Sequence, residues 1–211
     1  MKFASLIILG VSLPAAADLS WTFDVDAAGW GTLNDATAFT WDGALGNPVG
    51  AIRARDVGDG RIWYYAAPAG ALGDISNLYG GEISWDILGI QGNQTSIPDR
   101  ADVMLVGGGY QIGIDVDVVP LNGTWTSWSA GLSSAGGWEL VSSVSNGVLN
   151  GDSATESQIR AVLGDLQGLY IRGEYTNGSD QTAIDNVLVV PGPGVAAGLG
   201  MGAVAARRRR R

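Results

Sequence analysis

At 211 residues, with 46% hydrophobic and 16% charged residues, the chain has the length of one all-β domain plus short end segments. It contains neither Cys nor His, which excludes zinc and iron-sulfur centres, Cys-His or Ser-His-Asp catalysis and any disulfide framework. The net charge of −9 is unevenly placed: all 21 acidic residues fall between Asp18 and Asp185, while Lys2 and Arg207 to Arg211 make up half of the 12 basic ones, so the body repels phosphate backbones and no nucleic-acid partner is expected.

The chain starts "MKFASLIILGVSLPAAADLS", with Lys2, an apolar run from Phe3 to Leu13 and Ala15 to Ala17 before Asp18. This is the three-part order of a secretory signal, so residues 1–17 are expected to be a signal peptide and the mature chain to start near Asp18. The protein is then exported, and a chain without Cys is indifferent to the oxidising conditions outside.

From there the pattern is one of short strands. "SWTFDV", "AFTWD", "AIRARD", "RIWYYAA", "GEISWDIL", "DVMLVGG", "YQIGIDVDV" and "GTWTSWSAG" are rich in β-branched and aromatic residues and are separated by Gly, Asp, Asn and Pro. Ile112, Ile114, Val116 and Val118 alternate with Gln111, Asp115 and Asp117, as in a strand with one buried face. Gly107 to Gly109 lie between two such runs without the Lys-Ser/Thr of a phosphate loop, so they read as a hairpin turn. In "WYYAA", Tyr64 must point opposite to Trp63 and Tyr65, which places at least one of these rings toward solvent or a loop.

One helix is expected, at about Ala154 to Leu166. The segment Ser153-Ala154-Thr155-Glu156 has capping-box spacing, Ile159, Val162, Leu163 and Leu166 form an apolar stripe, and Gly168 is a natural stop. Two more strands, "LYIRGEY" and "AIDNVLVV", follow. The whole predicts an all-β, two-sheet jelly-roll sandwich over residues 18–190, with one short helix near the C-terminal strands.

The end, "VPGPGVAAGLGMGAVAARRRRR", carries a short apolar run of twelve residues before five arginines, below the roughly 20 residues that cross a bilayer. It resembles a PEP-CTERM sorting tail, with Gly192 standing where that family usually has Glu. The resemblance implies processing by an exosortase-type enzyme, transient membrane association through residues 191–211, and a secreted or surface-retained location in a bacterium.

Several stretches of the body also resemble a known domain. "RIWYYAAPAGALGDISNLYGGEISWDI" has the aromatic-Ala-Pro, Leu-Gly-Asp and Tyr-Gly-Gly pattern of the laminin IV type A domain, and "DVMLVGGGYQIGI" is similar to its central strand pair. Gly137-Trp138 and "IRAVLGDLQGLYIRGEYTNGSDQTAIDNVLV" continue the likeness in the same order, over roughly residues 20–190. The resemblance implies a galactose-binding-like jelly-roll that serves as a structural or interaction module of the extracellular matrix, without known catalysis.

No nucleophile-base constellation is present, and Asp86, Asp115, Asp117 and Glu174 read as solvated carboxylates rather than a glycosidase pair, so the chain is not expected to be an enzyme. The expected role is a secreted or surface-retained, non-catalytic extracellular adhesion or matrix module; the alternative is a carbohydrate-recognition module, with or without dependence on calcium, for envelope or matrix polysaccharide. For a sugar, Trp41 and Tyr64 supply aromatic faces and Asn47 a short polar group. Jelly-rolls of the implied type often carry a structural calcium where the first and last strands meet, which here points to Asp24, Asp26 and Asp185, with Asp56 at the end of "AIRARD".

Overall fold

The computed structural model describes residues 19–58, 60–92 and 97–192. The expected signal peptide, and all but the first two residues of the expected tail, lie outside these.

Among the described residues, thirteen strands and one α-helix follow in chain order: β1 (Leu19–Trp21), β2 (Gly31–Leu33), β3 (Ala36–Asp42), β4 (Ala51–Asp56), β5 (Tyr64–Ala66), β6 (Glu82–Gln91), β7 (Val103–Gly107), β8 (Tyr110–Ile114), β9 (Trp125–Gly131), β10 (Glu139–Val141), β11 (Leu149–Ser153), α1 (Glu156–Gly164), β12 (Leu166–Arg172) and β13 (Gln181–Val190). The first sheet runs β3-β4-β13-β6-β9, with β1 paired to the C-terminal half of β13. The second runs β11-β10-β8-β7-β12-β5-β2. Every strand pair within the sheets is antiparallel. Neighbours distant in sequence therefore sit side by side, as in the jelly-roll that the strand pattern predicts.

The period-2 alternation of each strand builds the core. Ile83, Trp85 and Ile87 of β6, Ile52 and Ala54 of β4, and Ile184 of β13 face Val103 and Leu105 of β7, Ile112 of β8, and Leu169 and Ile171 of β12. Trp63 and Tyr65 join them, ring centroids 4.9 Å apart, while Tyr64 between them enters a second apolar cluster with Met104, Ala101 and Val141 on the other side of its sheet. The alternation is as expected, but all three rings are buried, because the chain around Ala101, Val144 and Leu149 covers the outer face at Tyr64.

The turn at Gly108 and Gly109 joins β7 to β8 with φ of +53° and +81°, a conformation that costs other residues steric strain. A Cβ at Gly108 would also collide with the Ala161 carbonyl, so the same residue lets α1 lie close over the hairpin. Helix α1 is shorter than the periodicity predicts. Its capping box is Thr155 with Gln158, the Thr155 N–H donating to Gln158 Oε1 at 2.8 Å and the Gln158 N–H to Thr155 Oγ1 at 3.3 Å. Asp165 caps its C-terminus, and Leu166 and Gly168 already belong to β12, because the apolar stripe passes directly into an inward-facing strand. Ile159, Val162 and Leu163 are fully buried, each stabilising the packed helix by about 1.5–3 kcal/mol.

Candidate functional site

The outer face of the first sheet is partly uncovered. Strand register places Thr40, Arg53, Ala183, Leu88 and Trp125 in one row across β3, β4, β13, β6 and β9. Small Ala183 and Ala51 form a floor on which Leu88, Leu45, Ile90 and the half-buried Trp125 pack, separate from the main core. A shallow groove of about 330 Å³ opens here, bordered by Asp42, Leu45, Arg53, Leu88, Ile90 and Gly123. Arg53 Nε lies 3.0 Å from Asp42 Oδ2 at its rim, both side chains partly exposed. The depression at Val118 to Asn122 holds only about 70 Å³, too little beside the ~300 Å³ at which ligand sites begin. An apolar floor, a tryptophan and a partly solvated ion pair are what a sugar ring uses: its C–H face packs on the apolar surface while its hydroxyls bond to charged groups.

Beside the groove the loop between β3 and β4 folds onto the sheet. The Asn47 amide donates to Asp86 Oδ2 at 3.1 Å, its backbone N–H donates to Asp185 Oδ2 at 2.7 Å, and the Asn186 amide donates to Asp86 Oδ2 at 2.8 Å and to the Asn47 carbonyl. Ser127 Oγ donates to Asp86 Oδ1 at 2.5 Å. Burial pushes the Asp185 carboxyl up from its ordinary range, against the lowering effect of the N–H groups of Asn47 and Asn186; the charges of Asp86 and Asp24 push it further up. Asp86 is therefore no solvated carboxylate, as expected from the sequence, but the acceptor of a buried polar network.

The three expected sugar contacts are not brought together. Asn47, in the loop between β3 and β4, spends its side chain on Asp86. Trp41, 37% exposed, folds its ring over Gly43 and donates from Nε1 to the Phe23 carbonyl at 2.6 Å. Tyr64 is 0% exposed, on the other sheet, its hydroxyl donating to the Ala101 carbonyl at 3.2 Å; a ring enclosed by loops offers no face to a ligand. The groove's own residues Arg53, Asp42 and Leu88, and Trp125 packed beside Leu88, meet only through long-range register.

The four expected metal ligands divide in the same way. First and last strands do meet, Leu19 opposite Val189, but Asp24 and Asp26 are exposed and occupied locally, Asp24 Oδ2 accepting from Thr22 Oγ1 and Asp26 Oδ1 from the Ala28 N–H, both at 2.7 Å. Asp56 is far from Asp185: Arg55 pairs with Gln181, so the two are separated by some five residues of strand, about 16 Å. Asp56 instead groups with Asp35, in the turn between β2 and β3, and Glu174, just after β12; one carboxylate oxygen of each lies within 4.8 Å of the others, and all three residues are buried. This cluster can coordinate a metal ion. Glu174, read from sequence as solvated, has its carboxyl pushed up to about 8 by burial and then by Asp56 and Asp180.

A family model for laminin B (domain IV) matches residues 64–192. The chain belongs to the laminin B (domain IV) family. No curated protein matches it in sequence. This laminin B domain is similar in fold to the L4b domain of human laminin alpha-2, at 16% identity and a TM-score of 0.62, over 83% of this chain and 99% of that one. A family 11 carbohydrate-binding module from Clostridium thermocellum, in complex with a β-1,3-1,4-mixed-linked tetrasaccharide, is similar at 15% identity and a TM-score of 0.53, over 84% of this chain and 98% of that one. An exo-β-agarase is similar at 14% identity and a TM-score of 0.53, over 85% of this chain but 25% of the enzyme. The fold thus matches the whole of a laminin domain and of a carbohydrate-binding module, and a quarter of the agarase chain.

Proposed function

We propose that this laminin B domain is a non-catalytic extracellular module that binds polysaccharide through the groove on the outer face of its first sheet. The observation that carries the reading is the row Arg53, Ala183, Leu88 and Trp125, which sets an apolar floor and the Arg53–Asp42 pair at one open groove with an aromatic ring packed on the same floor beside it. Its likeness in fold to carbohydrate-binding modules supports the same reading, and the acidic body favours neutral or cationic glycans over acidic ones by simple repulsion. Membership of a laminin family supports a second reading, adhesion to a matrix protein.

The proposal includes export through residues 1–17, retention at a bacterial surface through the tail at 191–211, and a bound divalent ion, with calcium as the ion that an all-oxygen donor set favours. Its test is affinity electrophoresis of the protein through gels containing β-1,3-1,4-glucan, agarose, xylan or cellulose derivatives. Retardation by at least one glycan, reduced about tenfold or more in Trp125→Ala, is the expected result. Free migration in every gel, with capture by immobilised matrix protein instead, would move the assignment to the second reading. Mass spectrometry of the native extracellular protein tests the processing: a chain still carrying all five terminal arginines in soluble form would overturn the sorting tail.

A further inference from the structure

We propose that Asp35, Asp56, Glu174 and Asp180 hold one divalent cation of the calcium type at the end of the sandwich, and that this ion joins the two sheets. The proposal stands apart from the sugar reading and from the meeting place of β1 and β13.

The four residues arrive from both sheets. Asp35 lies between β2 of the second sheet and β3 of the first, Asp56 ends β4, Glu174 follows β12, and Asp180 precedes β13. Backbone bonds fix them around one point: the Asp56 N–H donates to the Asp180 carbonyl at 3.0 Å and the Val57 N–H to the Asp35 carbonyl at 3.2 Å. The side chains are then half committed. Asp56 Oδ1 accepts from the Gly58 N–H at 2.5 Å, and Glu174 Oε2 accepts from the Trp63 N–H at 3.3 Å. Asp180 Oδ2 accepts from the N–H groups of Tyr175 and Thr176, at 2.8 and 3.2 Å.

What remains points to a ligand. Asp56 is 3% exposed, yet its Oδ2 is buried with no hydrogen-bond partner among the described residues, while Asp180, 2% exposed, has the Trp63 indole beside its carboxylate. A buried carboxylate oxygen without a donor is costly unless a proton or a cation meets it, and more so when charged than a neutral polar group would be. The buried arginine next in sequence, Arg172, does not serve: its Nε donates to the Glu174 backbone carbonyl, its Nη2 to the Ile97 carbonyl at 2.7 Å, and its Nη1 lies 3.9 Å from Asp102. The spacing of Asp35, Asp56 and Glu174 within 4.8 Å fits ligands around one ion, since oxygens on opposite sides of a calcium at about 2.3–2.6 Å are roughly 4.6–5.2 Å apart. Donors that are all oxygen, in a chain with no Cys or His, favour a hard cation over zinc or copper. A cation here would do for the fold what a disulfide does in other exported domains, tying β2–β3, β4, β12 and β13 together.

The test uses the full exported protein stripped with chelator and titrated with calcium chloride alone, followed by thermal unfolding and by terbium luminescence excited through tryptophan. Trp63, whose ring packs over Gly173 beside Glu174, is the sensitiser. Expected are a midpoint raised by about 5 °C or more at saturating calcium and terbium emission that calcium displaces. Asp56→Asn and Glu174→Gln should each weaken calcium at least tenfold while melting in chelator no lower than the parent, because each amide keeps an oxygen for the backbone N–H it accepts from and brings no charge to the cluster. Asp24→Ala should leave both readouts unchanged. Identical midpoints in calcium and chelator with no terbium emission would overturn the proposal and assign protons to the cluster; a calcium shift that survives in both Asp56→Asn and Glu174→Gln would overturn it equally. Since no polysaccharide takes part, either failure leaves the groove reading untouched.

Discussion

The hydroxyl of Tyr65, on β5 of the second sheet, crosses the core and donates to the carbonyl of Thr182, on β13 of the first, at 2.6 Å. Thr182 Oγ1 in turn donates to the Gly173 carbonyl at 2.8 Å, returning to the second-sheet side of the sandwich. Both residues are buried, so this chain of hydrogen bonds closes where water is absent and an unmade bond is costly. Tyr65→Phe keeps the ring and removes the link; it is expected to lower unfolding free energy by about 1–3 kcal/mol in urea titration. A loss within about 0.5 kcal/mol would mean that the sheets are held by apolar packing alone.

Helix α1 gives a second stability test. Leu163 is fully buried among Ile159, Val162 and the strands beneath it, so Leu163→Ala is expected to cost about 2–5 kcal/mol. Arg160, four residues from Glu156, pairs with it at 2.7 Å on the exposed face and lies 3.6 Å over the Tyr79 ring. Arg160→Ala is expected to cost no more than about 1 kcal/mol, and a reversed order of these two effects in equilibrium unfolding would contradict the packing described.

Asp102 makes stability depend on pH. It is fully buried, its Oδ2 accepting from Val116 at 2.8 Å and Val118 at 3.3 Å, and burial pushes its carboxyl from an ordinary 3.8 up to about 7. Between those two values the folded protein keeps a proton that the unfolded chain has shed. Its contribution is therefore fully present below about pH 4 and lost as pH rises through 7. Asp102→Asn removes this dependence, so the stability of the parent relative to the variant should fall from about pH 4 to pH 7 and level off above that. Parallel profiles for the two proteins would show that Asp102 does not titrate in this window.

The two-sheet sandwich, the hairpin at Gly108 and the buried face of α1 could be read from sequence because each depends on local rules: alternation, a two-glycine turn, and spacing of three and four. The limits of those rules are visible in particular residues. Ser153 and Thr155 are both competent caps, and only the side chain of Gln158 selects Thr155. Tyr64 alternates as predicted, yet its exposure is decided by a loop some forty to eighty residues away. The groove needs the register of Arg53 against Ala183 and of Leu88 against Trp125, which no single stretch encodes. The carboxylate cluster was hidden for the same reason: Asp56 was visible as a candidate, but Asp35 and Glu174 join it only through the crossing of two sheets. An acidic residue at or just past a strand end, as at Asp56 and Glu174, was the faint signal available.

The most direct test of the binding face is an NMR titration of isotope-labelled protein with an oligosaccharide of the glycan that retards it in gels. The account predicts that the largest shifts fall on the Trp125 indole, on Arg53 and on the backbone of Leu88 and Ile90, with Tyr64 and Met104 on the opposite sheet unmoved. Shifts centred on Tyr64 and Met104, with Trp125 and Arg53 unchanged, would contradict it.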